Sequence, residues 1–92
     1  MDGADPVLLA ARNDLASGNL SLALHAYSHL IWRHRALDDI LSDLAQLVKR
    51  YPRDPRVWQT LGDALMQAGN ADHAAQSHDR ARQLSNAQNP AE

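Results

Sequence analysis

The sequence predicts an all-α fold of five helices. Apolar residues recur three or four positions apart along most of the chain, the spacing that gives a helix one apolar face. Two Asp-Pro pairs and two Gly-Asn pairs lie where these apolar segments begin and end. Aliphatic residues supply most of the 45% apolar content and Phe is absent, so we expect thin layers of helix packed on helix.

Length and composition limit both the fold and the function. A chain of 92 residues can bury one modest core, so we expect a single domain over 1–92. The net charge of −2 gives no overall attraction to nucleic acid or to an anionic membrane, and we expect neither as a partner. Cysteine is absent, which excludes disulfides, thiol catalysis and thiolate metal sites. The first residues lack the basic and long apolar regions of a secretion signal, so we expect a cytoplasmic location.

Capping residues mark the ends of several helices. Each Asp-Pro pair, at 5–6 and 54–55, predicts a helix start, because Asp is a good N-cap and the missing N–H of Pro costs nothing in the first turn. Each Gly-Asn pair, at 18–19 and 69–70, predicts the end of one helix and the start of the next, because Gly tolerates the left-handed conformation. The predicted helices cover residues 6–17, 20–33, 37–50, 55–68 and 71–84.

Two parts of the chain lack such signals. Residues 33–35 interrupt the apolar spacing without Gly or Pro, so this junction is either a turn or a kink in a longer helix. The polar segment 86–92 is expected to be a frayed tail.

Residues 55–88 contain a spaced motif. It consists of Trp58, Leu61, Gly62, Leu65, Gly69, Ala74 and Ala81. This motif resembles the tetratricopeptide repeat (TPR) family, whose signature is W-x2-L-G-x2-Y with a later Ala. The resemblance implies that Gly62 and Ala74 lie where two antiparallel helices approach closely. Leu65 replaces the usual Tyr, and His78 and Asn86 replace a large apolar residue and a Pro, which fits a last repeat.

The front of the chain resembles a degenerate hairpin of the same kind, over about 4–35. It matches the second hairpin at an offset of 51 residues, the separation of Gly18 and Gly69, or one and a half periods of about 34. This register gives two hairpins with one extra helix between them. A second register places a degenerate repeat at 21–54, with the first helix as a cap. Both imply a TPR-like α-solenoid, a right-handed stack of five antiparallel helices, and we favour the first.

The family resemblance implies a protein–protein interaction module that binds a peptide or helix of a partner protein. Under the second register, residues of the second and fourth helices line the binding groove: His25, His29, Trp32, Arg33, Gln59, Asp63 and Met66. Members that clamp C-terminal carboxylates present Lys, Arg and Asn there, so Gln59 and Asp63 disfavour such a clamp. The alternative is a self-assembling structural element, a homodimer or higher oligomer, because a short stack has two open ends.

Several side chains are candidates for metal binding, catalysis or partner binding. His25 and His29 lie four residues apart on one face of a helix, but a zinc site needs at least three ligands, so we expect no metal and no cofactor. Ser28 next to His29 points in a different direction and has no oxyanion motif, so we expect no enzyme. Trp32 is either a lid on the core or an exposed anchor for a partner, and we favour the core. Leu20 and Leu22 add to a possible exposed patch.

Overall fold

The computed structural model describes residues 5–88 as five α-helices. They are α1 (Pro6–Ala16), α2 (Leu20–Trp32), α3 (Leu37–Arg50), α4 (Pro55–Gln67) and α5 (Ala71–Gln88). The all-α prediction is confirmed, since no strand occurs within these residues. The bounds of the first four helices agree with the predicted ones to within one residue.

The fifth helix is longer than predicted. It continues through residues 86–88, so a frayed segment there was the wrong expectation; residues 89–92 lie outside the described part of the chain. Polar residues do not end a helix by themselves, because Ser, Asn and Gln keep the backbone hydrogen bonds of a helix at a small cost in helix propensity. After Leu84 the first residue that strongly opposes a helix is Pro90.

The predicted caps form the hydrogen bonds expected of them. Oδ1 of Asp5 accepts a hydrogen bond from the Val7 N–H at 2.9 Å, and Oδ1 of Asp54 accepts one from the Arg56 N–H at the same distance. These bonds satisfy amide groups that the first turn of a helix leaves without a partner. The two Asp-Pro pairs therefore fix the starts of α1 and α4.

The junction between α2 and α3 is a turn and not a kink. The N–H of Arg35 donates to the Leu30 carbonyl and the N–H of His34 donates to the Ile31 carbonyl, both at 3.0 Å. This is the Schellman pattern that also closes α1 at Gly18, where φ is +80°. His34 takes the glycine position with φ of 55°, which explains why the sequence showed no stop signal.

The helices form two main packed pairs, and α3 lies between these pairs in the sequence. α1 packs mainly on α2, and α4 packs mainly on α5. α3 contacts α4 more than it contacts α2, and α2 also contacts α4. α4 is therefore the central element of a molecule that measures 52 × 31 × 19 Å.

A buried tyrosine joins α3 to the first hairpin. Tyr27 on α2 has no exposed surface, and its hydroxyl donates a hydrogen bond to Oδ2 of Asp43 on α3 at 2.8 Å. Arg12 on α1 binds both oxygens of the same carboxylate, at 2.8 and 3.0 Å. Burial and the Asp43 carboxylate raise the pKa of the Tyr27 hydroxyl above its ordinary value. This network holds three helices in register.

Candidate functional site

One face of α2 carries large side chains that nothing in the described chain covers. Leu22 and Trp32 are 53% and 61% exposed, and His25 and His29 between them are also exposed. These four residues are spaced by three, four and three positions, which places them along one side of a helix. We call them the α2 stripe.

The position of Trp32 corrects the sequence-based expectation. We favoured a lid on the core, and its side chain is instead largely exposed. The inner face of α2 is already filled by Tyr27, Leu30 and Ile31, each with no exposed surface. Trp32 follows Ile31 by one residue, a rotation of about 100° around the helix, and so falls on the side of His25 and His29.

The neighbouring helix α4 exposes a second row of the predicted groove residues. Gln59 is exposed, Met66 is 48% exposed and Asp63 is half-buried. The Asp63 carboxylate is already engaged, because its Oδ1 lies 3.0 Å from Nε2 of His78 and 3.4 Å from Nε2 of Gln59. The α4 row therefore presents to a partner the thioether of Met66 and the amide of Gln59 more readily than the charge of Asp63.

A side-chain hydrogen bond joins the first turns of α2 and α4, the two helices that carry these rows. Nη1 of Arg56, in the first turn of α4, donates to Oγ of Ser21, in the first turn of α2, at 2.7 Å. The same guanidinium binds Oδ2 of the N-cap Asp54 at 2.7 Å. Since α2 and α4 also contact each other, the seven predicted residues lie on two adjacent helices that begin side by side. Arg33, the C-cap of α2, is exposed at the far end.

Gly62 lies at a close approach of α4 and α5, as the family resemblance implied. A Cβ atom on Gly62 would lie 2.3 Å from Cδ2 of His78, well inside van der Waals contact. His78 thus fills the layer between the two helices with its ring and reaches Asp63 with its Nε2. From the sequence alone, His78 is only a departure from the usual apolar residue, and nothing in the residue pattern indicates its pairing with Gly62.

The structure also shows a groove that sequence reasoning missed. It has a volume of about 580 Å³ and lies between α3 and α5, over α4. Its apolar surface comes mainly from Leu41, Trp58, Leu61 and Leu65. The indole N–H of Trp58 donates to the Pro52 carbonyl at 2.9 Å, so this ring is held in place. Helix periodicity placed these residues on inner faces but could not show that α3 and α5 are splayed apart above them.

Residues 5–88 contain neither a cluster of metal ligands nor a helix that could span a membrane. Within 5–88, no three His, Asp or Glu side chains lie close enough together to hold a metal ion. Every buried side-chain nitrogen or oxygen in the described chain has a hydrogen-bond partner. None of the described helices has the length and apolar character needed to cross a bilayer.

Comparison with known proteins adds no relative. Neither family models, nor curated protein sequences, nor solved structures give a match to this chain.

Proposed function

We propose that this chain is a protein–protein interaction module that binds a peptide or helix of another protein across α2 and α4, without catalysis. The observation that carries the proposal is the exposure of Trp32 next to the other members of the α2 stripe. A Trp side chain has roughly 200 Å² of surface, and covering apolar area is worth about 25 cal/mol per Å². Trp is also enriched among residues that dominate binding energy.

The arrangement of the helices supports a TPR-like solenoid for this module. α1–α2 and α4–α5 are the most closely packed pairs, as the register with two hairpins and an inserted helix expects. The first turns of α2 and α4 lie side by side, as expected if both helices line one binding face. A cytoplasmic location stays a prediction from the sequence.

Self-assembly is the alternative function. The same exposed Trp32 favours it, because a second copy of the chain could cover the α2 stripe. Light scattering over a range of concentrations separates the two proposals. A mass that stays near 10.1 kDa supports a module for another protein, and a stable multiple of it supports self-assembly.

Site-specific photo-crosslinking tests the proposed surface. A photoreactive phenylalanine analogue replaces Trp32 in one variant and Leu9 in a matched control, since Leu9 on α1 is 51% exposed. Both variants are irradiated in extract of the source cells and the products are separated by mass. We expect a discrete adduct with another protein at position 32 and none at position 9. Equal adducts at both positions, or none at either, would contradict the proposal, and an adduct with a second copy alone would support self-assembly.

A further inference from the structure

The acidic residues of the chain avoid the α2 surface. Residues 15–37, which include all of α2 and the turn after it, contain no Asp and no Glu, although the whole chain has more acidic than basic residues. The basic residues in this segment, counting histidine, are His25, His29, Arg33, His34 and Arg35. All five are exposed. The surface around the α2 stripe therefore differs in charge from the rest of the molecule.

Two acidic residues near this surface are already engaged by other side chains of the chain. Asp5 forms an ion pair with Arg35, so these two charges neutralise each other. Asp63 on α4 is held by His78 and Gln59. Arg33 makes no ion pair with any residue of the described chain, and it is exposed at the end of α2 next to Trp32. The cationic side chain of Arg33 is thus left for a partner to neutralise.

From this charge distribution we infer that the partner segment is acidic and amphipathic: its apolar side chains pack on Leu22 and Trp32, and its carboxylates face His25, His29 and Arg33. This inference rests on the proposed function and names the chemistry of the partner. Complementary charge speeds association and fixes the orientation of a bound segment. The apolar contacts supply most of the affinity, because exposed ion pairs contribute at most about 1 kcal/mol each.

The same surface is a poor match for the other candidate partners. In a symmetric dimer the patch would meet itself, and residues 15–37 contain no carboxylate side chain that could pair with Arg33. Single-stranded nucleic acid is bound by several stacked aromatic rings, and Trp32 is the one aromatic residue of the stripe. The carboxylates that we infer lie along the partner segment, which distinguishes this site from a clamp for a C-terminal carboxylate.

Selection from a peptide library tests the inference. Random peptides of about 16 residues, roughly four helical turns, are displayed with fixed linkers at both ends, so that no C-terminal carboxylate is offered. The pool is selected on the wild-type chain and then depleted on Trp32→Ala. We expect the surviving sequences to contain Asp and Glu at least about threefold more often, relative to Lys and Arg, than the starting pool. Their affinity is expected to fall as salt is raised, because exposed charges are screened.

Charge reversal supplies the matched control. Arg33→Glu and Arg80→Glu change the net charge equally, and Arg80 is an exposed residue of α5 with no ion pair in the described chain. We expect Arg33→Glu to weaken binding of the selected acidic peptides by about five- to tenfold, and Arg80→Glu by less than twofold. Equal effects of the two variants would overturn the inference.

The outcomes separate the inference from the proposed function. Peptides that need Trp32 but show no acidic enrichment would overturn the inference and leave the binding module intact. Failure to recover any peptide that needs Trp32 would overturn both. Labelled oligothymidine and phosphatidylserine vesicles serve as further probes, and binding of either one that is lost in Trp32→Ala would assign the surface to nucleic acid or to membrane instead.

Discussion

The imidazole of His78 on α5 occupies the space that Gly62 on α4 leaves open. A Cβ atom at position 62 would lie 2.3 Å from Cδ2 of the ring, so a larger residue there would force the ring to move. The ring is held there by Asp63, whose Oδ1 lies 3.0 Å from Nε2 of His78. This pairing defines the contact between the two helices of the second hairpin.

Gly62→Ala is expected to lower the free energy of unfolding by about 1–3 kcal/mol, because overpacking forces the ring away from Asp63. In a His78→Ala background the same substitution is expected to raise that free energy by up to about 1 kcal/mol, since Ala favours a helix more than Gly does. Urea unfolding of the four proteins measures the difference. Losses of the same size in both backgrounds would show that the ring is not what Gly62 accommodates.

His34→Gly is expected to stabilise the protein by about 1 kcal/mol, because φ of 55° strains a residue that has a Cβ atom. Arg33 precedes it in the same turn with φ of −98°, so Arg33→Gly is a control from which no gain is expected. Thermal unfolding followed by circular dichroism compares the two variants. A melting temperature that rises equally in both would contradict the assignment of the strain to position 34.

Tyr27→Phe is expected to lower the free energy of unfolding by about 1–2 kcal/mol, because Asp43 loses a hydrogen bond from a buried hydroxyl. The pKa of Tyr27 is raised in the folded protein, so its contribution is complete below the ordinary value of 10.0 and is lost as pH rises beyond it. The wild type should therefore lose stability above about pH 10 more steeply than Tyr27→Phe. Parallel pH profiles from denaturant unfolding would contradict this role of the hydroxyl.

Much of the helical framework could be predicted from the sequence, because its signals are local. Asp5 and Asp54 cap helices through amides two residues away, and Gly18 closes α1 through carbonyls of the same turn. The turn after α2 could not be predicted, because the position that favours glycine is occupied by His34. The polar residues at 86–88 suggest a frayed end, although polar side chains do not by themselves oppose helix formation.

The candidate site was harder to predict, because exposure depends on how helices pack. His25 and His29 were placed on the polar side of α2, where the structure shows them. Trp32 lies at the border of the apolar face, and only the filling of that face by Leu30 and Ile31 decides that it points outward. The separation of α3 from α5 depends on contacts between helices distant in sequence, which periodicity does not encode.

We propose the α2 stripe as the surface to which a partner protein binds. The most direct measurement is the affinity of the photo-crosslinked partner, or of a peptide from the library, for Trp32→Ala and for Leu9→Ala. Both residues are more than half exposed, so both variants should remain folded to within about 0.5 kcal/mol. We predict that Trp32→Ala weakens binding about 30-fold or more, the effect of losing about 2 kcal/mol at a residue that dominates an interface, while Leu9→Ala leaves it unchanged. Equal binding by Trp32→Ala and the wild type would contradict the claim.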